Sequence, residues 1–318
     1  VIVGLASLAF SAPTVGQEQQ AQDKQAEDNQ EAEIIVIGNK EKVDIYQKII
    51  ASQFIVRGGG RHEGQYARFA DRVCPSVSGF GTEKNTQLQK RIREVIAQAK
   101  VRLAKKKCSE NMIVIGVDDG SKAISQLRDQ QPRLFSSLPV PARDKLMNGD
   151  GPVFNWKSIQ KLSSDSKGNA KVGTISVIAA SGSGSAPGAA SSGAQSYGGQ
   201  RSQVKSKIKR STVEGIIFSY LLVERSVLGK VTTTQLADYV TMLSLIDMDS
   251  ETGKTPPPPY SILSLFDQED PALRPDTIGD VDIALLNALY KSPANVKASA
   301  QRSAMVHRIN KQLDKEEN

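Results

Sequence analysis

Histidine is almost absent from this chain of 318 residues, and its scarcity excludes the commonest catalytic sites. His62 and His307 are the only two, and they lie far apart in the sequence. A catalytic zinc ion needs three protein ligands, of which two are typically histidines four residues apart on one helix. A serine hydrolase needs a histidine base, yet no G-x-S-x-G motif precedes a plausible one here. A standard zinc peptidase or serine hydrolase is therefore not indicated.

The chain also lacks a hydrophobic run long enough to cross a bilayer. Val1–Phe10 is a ten-residue apolar run, about half of what a membrane-spanning helix needs. It matches the apolar part of a secretory signal peptide, with a cleavage site expected after Gly16. The positively charged segment that begins a signal peptide is missing. We therefore expect residues 1–16 to be a signal-peptide remnant, in a sequence that starts inside the open reading frame or at a misread start codon. The residue directly after Gly16 is Gln17 and not a cysteine, which argues against a lipoprotein anchor. No transmembrane span is expected in the mature chain.

Cysteine occurs only at Cys74 and Cys108. In the oxidising compartment that a signal peptide implies, two cysteines are expected to pair. Their bridge would close a loop of about 35 residues and add roughly 3 to 4 kcal/mol by the chain-entropy estimate. The sequence therefore predicts one disulfide bond.

Two stretches lack the branched and aromatic apolar residues that a core needs. Residues 17–33 are rich in Gln, Glu, Asp and Ala and are predicted to be a disordered acidic leader. Residues 180–200 are almost entirely Ser, Gly and Ala and are predicted to be a flexible loop. We expect residues 34–313 to form a single domain that contains this loop, followed by a frayed tail at 314–318.

The order of the remaining patterns predicts the fold class. Leu88, Ile92 and Val95 mark one face of an amphipathic helix, with basic residues on its outer face, and Met112–Val117 reads as a strand. Predicted strands and helices are partly segregated along the chain, which is typical of α+β proteins. We expect a mostly antiparallel sheet with a buried central helix and a C-terminal helical part.

The stretch from Thr232 to Tyr290 supplies that central helix. Thr232 and Gln235 form a capping-box pattern, and the helix that follows is apolar on most sides, so it is predicted to be buried. Pro256–Pro259 cannot continue a helix, and they separate it from a second helix that ends near Tyr290.

This stretch resembles the active-site region of metzincin zinc peptidases. Ser261-Ile262-Leu263-Ser264-Leu265 is similar to their methionine-containing turn, and Asp282–Tyr290 is similar to their closing helix. The corresponding register places Ala237, Thr241 and Asp247 at the three histidine positions and Asp238 at the glutamate. The resemblance implies a zincin-like scaffold without its zinc ligands, in which Asp238 has no activated water to act on.

A second resemblance covers most of residues 33–310. Arg68–Gly79, Cys108–Asn111 and Gln235–Tyr239 are similar to uncharacterised secreted proteins of alphaproteobacteria. This resemblance implies export to the periplasm or the outside of a Gram-negative bacterium, and it carries no known activity.

These observations favour an exported, non-catalytic protein of the cell envelope, a pseudo-peptidase with a structural or binding role and no cofactor. One alternative is a divergent hydrolase, either metal-dependent with ligands such as Asp238 and Asp247 or a serine enzyme. The missing histidines weigh against both kinds of hydrolase.

A third interpretation is binding to anionic envelope polymers. Lys205, Lys207 and Lys209 alternate along a predicted strand and would share one face, with Arg210 beside them. Arg201 and the run Lys105–Lys107 add to the basic surface. Lysines also protect exposed edge strands from pairing with other chains, which needs no ligand. No partner beyond an envelope component or anionic polymer is indicated.

Overall fold

The structure is a computed structural model that describes residues 39–57, 63–149, 151–164, 209–248 and 257–316. Three predicted features lie outside the described residues: the signal-peptide remnant at 1–16, the acidic leader at 17–33 and the flexible loop at 180–200. The last helix reaches Glu316 and so includes part of the tail predicted at 314–318.

The described helices and strands combine in an α+β domain. The helices are α1 (Asn39–Gln53), α2 (Thr82–Gln98), α3 (Gly120–Gln130), α4 (Val140–Met147), α5 (Thr233–Leu245), α6 (Asp280–Lys291) and α7 (Ala298–Glu316). The strands are β1 (Val56–Arg57), β2 (Gln65–Tyr66), β3 (Arg68–Phe69), β4 (Pro75–Ser78), β5 (Met112–Val117), β6 (Val153–Ser163) and β7 (Thr212–Glu224). Short 3-10 turns lie at Pro132–Phe135, Arg225–Gly229, Ile262–Ser264 and Pro271–Leu273.

The sheet is mainly parallel, so the prediction of a mostly antiparallel sheet is wrong. β7 is the central strand, and β6 pairs with β7 in the antiparallel direction. β3 and β5 pair with β7 in parallel, and β4 pairs with β5 in parallel. The chain passes through α2 between β4 and β5, and through α3, α4 and β6 between β5 and β7. Connections of this length return the chain to the same end of the sheet, which parallel pairing requires.

Helices cover both faces of this sheet. On one face α1, α2, α5, α6 and α7 enclose the larger core, to which β7 contributes Leu221 and Val223. On the other face a smaller core surrounds Trp156, whose ring stacks between Phe135 at 5.2 Å and Tyr220 at 5.1 Å. Burying both faces explains why β7 is apolar along most of its length rather than alternating.

The central helix α5 forms as its sequence predicts. The Thr232 hydroxyl accepts from the Gln235 backbone N–H at 3.1 Å, and the Gln235 side chain accepts from the Thr232 N–H at 2.8 Å. This capping box satisfies two backbone donors at the helix start. Ten of its thirteen residues are buried, which confirms the prediction of a core helix.

Cys74 and Cys108 form the predicted disulfide bond, with their Cα atoms 6.0 Å apart. The bond joins the residue before β4 to the loop between α2 and β5. The Cys74 carbonyl also accepts from the Asn111 and Met112 backbone N–H groups. The disulfide therefore fixes the loop where it enters the sheet.

Candidate functional site

The region that resembles the metzincin active site consists of α5, the 3-10 turn at Ile262–Ser264 and α6. At two of the three histidine positions this chain has residues whose polar groups bond to each other within α5. Ala237 and Thr241 are fully buried, and the Thr241 hydroxyl donates to the Ala237 carbonyl at 2.6 Å. This bond closes one turn of α5 on itself, and neither residue presents a ligand.

Asp238, at the position of the catalytic glutamate, is fully buried and accepts four hydrogen bonds. Arg91 on α2 donates from Nε at 2.6 Å and from Nη2 at 2.8 Å. The Thr277 hydroxyl and the Ile278 backbone N–H donate to Oδ2 at 2.7 and 2.8 Å. The carboxylate thus joins α2, α5 and the loop that precedes α6. Its bond to Arg91 raises the pKa of that guanidinium, although burial opposes the shift.

Asp247, at the third histidine position, lies beyond the end of α5 and is also paired with an arginine. Arg57 on β1 donates to its two carboxylate oxygens at 2.7 and 3.2 Å. The Asp247 carbonyl accepts from the Ile55 N–H at 2.9 Å, so the residue holds the segment before β1 against the end of α5. The two aspartates proposed as metal ligands are therefore engaged by different arginines. Among the described residues no group of three or more His, Cys, Asp or Glu side chains could hold a metal.

Asp282 orders the turn that resembles the methionine turn. Its carboxylate accepts from the Ser261 hydroxyl at 2.7 Å and from the Ile262 N–H at 2.8 Å. Burial raises the pKa of Asp282 to about 6, against the lowering effect of these bonds. No local sequence pattern assigns this role to Asp282, because Ser261 and Ile262 lie 21 and 20 residues before it.

A further buried cation is Lys157 on β6, which the sequence does not indicate as a functional residue. The side chain is 5% exposed, and its Nζ donates to the Asn155 Oδ1 at 3.3 Å. Ser219 lies opposite it on β7 and is fully buried, and its hydroxyl has no hydrogen-bond partner among the described residues. Burial lowers the pKa of Lys157 to about 8, while the charge of Asp247 raises it and that of Arg57 lowers it. Lys157 and Ser219 are both buried, so solvent has little access to this cluster.

Most of the predicted lysine face lies outside the described residues, so its arrangement stays a prediction. Lys205 and Lys207 lie outside the described residues, and Lys209 is exposed just before β7. Arg210 donates to Glu63 at 2.9 Å, and Glu63 also accepts from Lys297 at 2.6 Å. Arg210 therefore has an internal partner and is not a free binding group.

An apolar groove lies between α1 and the proline segment. Its lining comprises Ile45, Lys48, Ile49, Pro257–Pro259 and Tyr260. The volume of about 260 Å³ is just under the range of roughly 300 to 1,000 Å³ that is typical of small-molecule sites. It would accept one or two apolar side chains.

Comparison with known proteins gives no match, whether to a family model, to a curated protein or to a solved structure. The two resemblances described above therefore remain hypotheses that rest on residues alone. No helix within the described ranges combines the length and apolar character needed to cross a bilayer.

Proposed function

We propose that this protein is an exported, non-catalytic binding or structural module of the cell envelope. The observation that supports the non-catalytic role best is the state of Asp238. A general base must have a lone pair directed at a water or a substrate. In this chain four internal donors surround the carboxylate, at 2.6 to 2.8 Å. The position that resembles a catalytic glutamate thus serves to hold three segments of the fold together.

Export to the periplasm or the medium of a Gram-negative bacterium is supported by the disulfide bond and the N-terminal apolar run. Disulfides persist in oxidising compartments and are rare in the cytosol. Cys74 and Cys108 form such a bond within the core domain. A zincin-like origin of α5 and α6 belongs to the same proposal, and it is supported by the buried helix, the ordered turn and the Asp282 contact.

The metal content of the purified protein tests the non-catalytic role. Protein purified from the periplasm without chelator is expected to contain substoichiometric zinc by elemental analysis, because Arg91 and Arg57 already neutralise both candidate aspartates. The zinc content of the same sample is measured a second time after dialysis against zinc and removal of free metal. The variant Asp247→Asn serves as a control, since it removes one candidate ligand.

Stoichiometric zinc in the natural chain, lost in the Asp247→Asn variant, would overturn the proposal in favour of the divergent hydrolase. Peptide hydrolysis that depends on this zinc would have the same meaning.

A second candidate function, binding to anionic polymers or surfaces, is favoured by the distribution of charge. From residue 39 onward Lys and Arg outnumber Asp and Glu by 40 to 28, while residues 1–38 contain one basic and six acidic residues. A net positive domain attracts anions over distances of about a Debye length, roughly 8 Å at physiological salt.

A further inference from the structure

The most concentrated positive charge among the described residues lies in the loop Lys100–Lys107, between α2 and β5, here termed the basic loop. Five of its eight residues are basic and exposed: Lys100, Arg102, Lys105, Lys106 and Lys107. No acidic residue occurs between Glu94 and Glu110. The loop therefore presents five positive charges within one short segment.

The backbone of the basic loop is fixed on both sides. At the end of α2, Lys100 has a φ of 55° and the Val101 N–H donates to the Ile96 carbonyl, which closes the helix with a Schellman-type bond. Val73 then donates to the Arg102 carbonyl and accepts from the Ala104 N–H, both at 2.8 Å.

The next residue after the basic loop, Cys108, is tied to Cys74 by the disulfide. Val101 and Ala104 are buried, so they anchor the loop while the charged residues point outward. A loop held in this way loses little backbone entropy when a partner binds.

Four of the five basic residues in the basic loop are lysines. None of the ion pairs within the described ranges involves Lys100 or Lys105–Lys107. Arg102 donates to the Ala70 carbonyl at 2.7 Å. Burial raises the pKa of the neighbouring Asp71, and the charge of Arg102 only partly opposes this shift. The four lysines are thus available to an external anion.

We propose that the basic loop binds a phosphate-bearing anionic membrane surface; this inference rests on the non-catalytic binding role proposed above and names its partner. Consecutive lysines are flexible point charges that adapt to mobile lipid headgroups rather than to one rigid ligand. Single-stranded nucleic acid is disfavoured because its binding uses aromatic side chains for base stacking. No aromatic residue occurs between Phe80 and Phe135, a segment that includes the entire loop.

Vesicle co-sedimentation with the full chain tests this inference. The vesicles contain about one part phosphatidylglycerol to three parts phosphatidylcholine, with pure phosphatidylcholine as the neutral reference. The variant Lys105→Gln, Lys106→Gln, Lys107→Gln removes three charges and keeps polar side chains that can still form hydrogen bonds. Each basic residue near an anionic surface changes partitioning roughly fivefold, so this variant is expected to bind about 100-fold more weakly. Binding of the natural chain is expected to fall steeply with salt.

The matched control is Lys122→Gln, Arg308→Gln, Lys311→Gln, which removes the same charge from exposed positions on α3 and α7. It is expected to bind like the natural chain, and circular dichroism checks that both variants fold. Equal losses in the two variants would show diffuse charge attraction and overturn the assignment to the basic loop. Failure of the natural chain to bind anionic vesicles would also overturn it, while leaving the metal test of the non-catalytic role unaffected.

Two further ligands test whether the basic loop binds a membrane surface, a free anion or nucleic acid. Inorganic phosphate, compared with chloride at equal ionic strength, is expected to displace the protein no better than chloride. Specific displacement by phosphate would indicate a site for a free anion instead of a surface. Tighter binding to duplex DNA than to vesicles, dependent on the same three lysines, would replace the membrane with nucleic acid as the partner.

Discussion

Replacement of Arg91 by methionine is expected to destabilise the fold by about 3 to 5 kcal/mol, the cost of leaving a buried charge without its partner. Asp238 is fully buried, whereas the Arg91 side chain is 26% exposed. In the variant the carboxylate keeps its bonds to Thr277 and Ile278 but loses both guanidinium donors. Urea unfolding followed by circular dichroism, with equal slopes for the two proteins, measures the loss.

Two variants separate this explanation from a general effect of changing α2. Lys90→Met alters the neighbouring residue, which is 79% exposed, and is expected to stay within about 0.5 kcal/mol of the natural chain. The double variant Arg91→Met with Asp238→Asn removes the charge together with its partner. It is expected to be more stable than Arg91→Met alone, because no unpaired charge remains buried. A loss below about 1 kcal/mol in Arg91→Met would mean that Asp238 is neutralised or hydrated by other means.

Periodicity predicts much of α2 but not this ion pair. Leu88, Ile92 and Val95 are buried as their spacing predicts. Arg91 follows Leu88 by three residues and precedes Val95 by four, so the same spacing places it at the edge of the apolar face. Asp238 is separated from it by 147 residues, and no pattern within either helix indicates that the two meet. Local patterns predict which face of a helix is apolar, whereas a long-range polar contact depends on how the helices pack.

Local sequence patterns likewise do not predict whether two paired strands run parallel or antiparallel. Met112–Val117 is recognisable as a strand in the sequence, and in the structure it pairs with β7. Their pairing is parallel because the intervening α3, α4 and β6 return the chain to the same end of the sheet. Counting predicted strands and helices gives the α+β class, but it does not give the order in which the strands pair.

β6 shows why a sequence pattern does not reveal that a polar side chain is buried. Phe154 and Trp156 alternate with Asn155 and Lys157, and such alternation usually means a strand with one polar face in water. Here both faces are covered, and Lys157 is 5% exposed beneath the larger core. The polar face of β6 consequently places an ammonium group inside the protein.

Replacement of Lys157 by methionine is therefore expected to stabilise the fold at pH 7. Burial lowers the pKa of this lysine from 10.5 to about 8, so at neutral pH the folded chain still carries the proton at a cost. Between about pH 8 and 10.5 the unfolded chain keeps the proton while the folded chain releases it. This single group makes the free energy of unfolding rise with pH across that window, by on the order of 3 kcal/mol in total.

The measurement is the difference in unfolding free energy between Lys157→Met and the natural chain, from urea unfolding at pH values from 7 upward. The variant is expected to be the more stable by up to about 3 kcal/mol near pH 7, and its advantage should shrink as the pH approaches 10.5. Tyr220 and Tyr290, whose pKa values burial raises, are present in both proteins and cancel in the difference. Lys161→Met is the matched control, because Lys161 lies on the same strand with a side chain that is 54% exposed. A difference that stays constant with pH, or that Lys161→Met reproduces, would show that Lys157 is hydrated in the folded protein and does not titrate as a buried group.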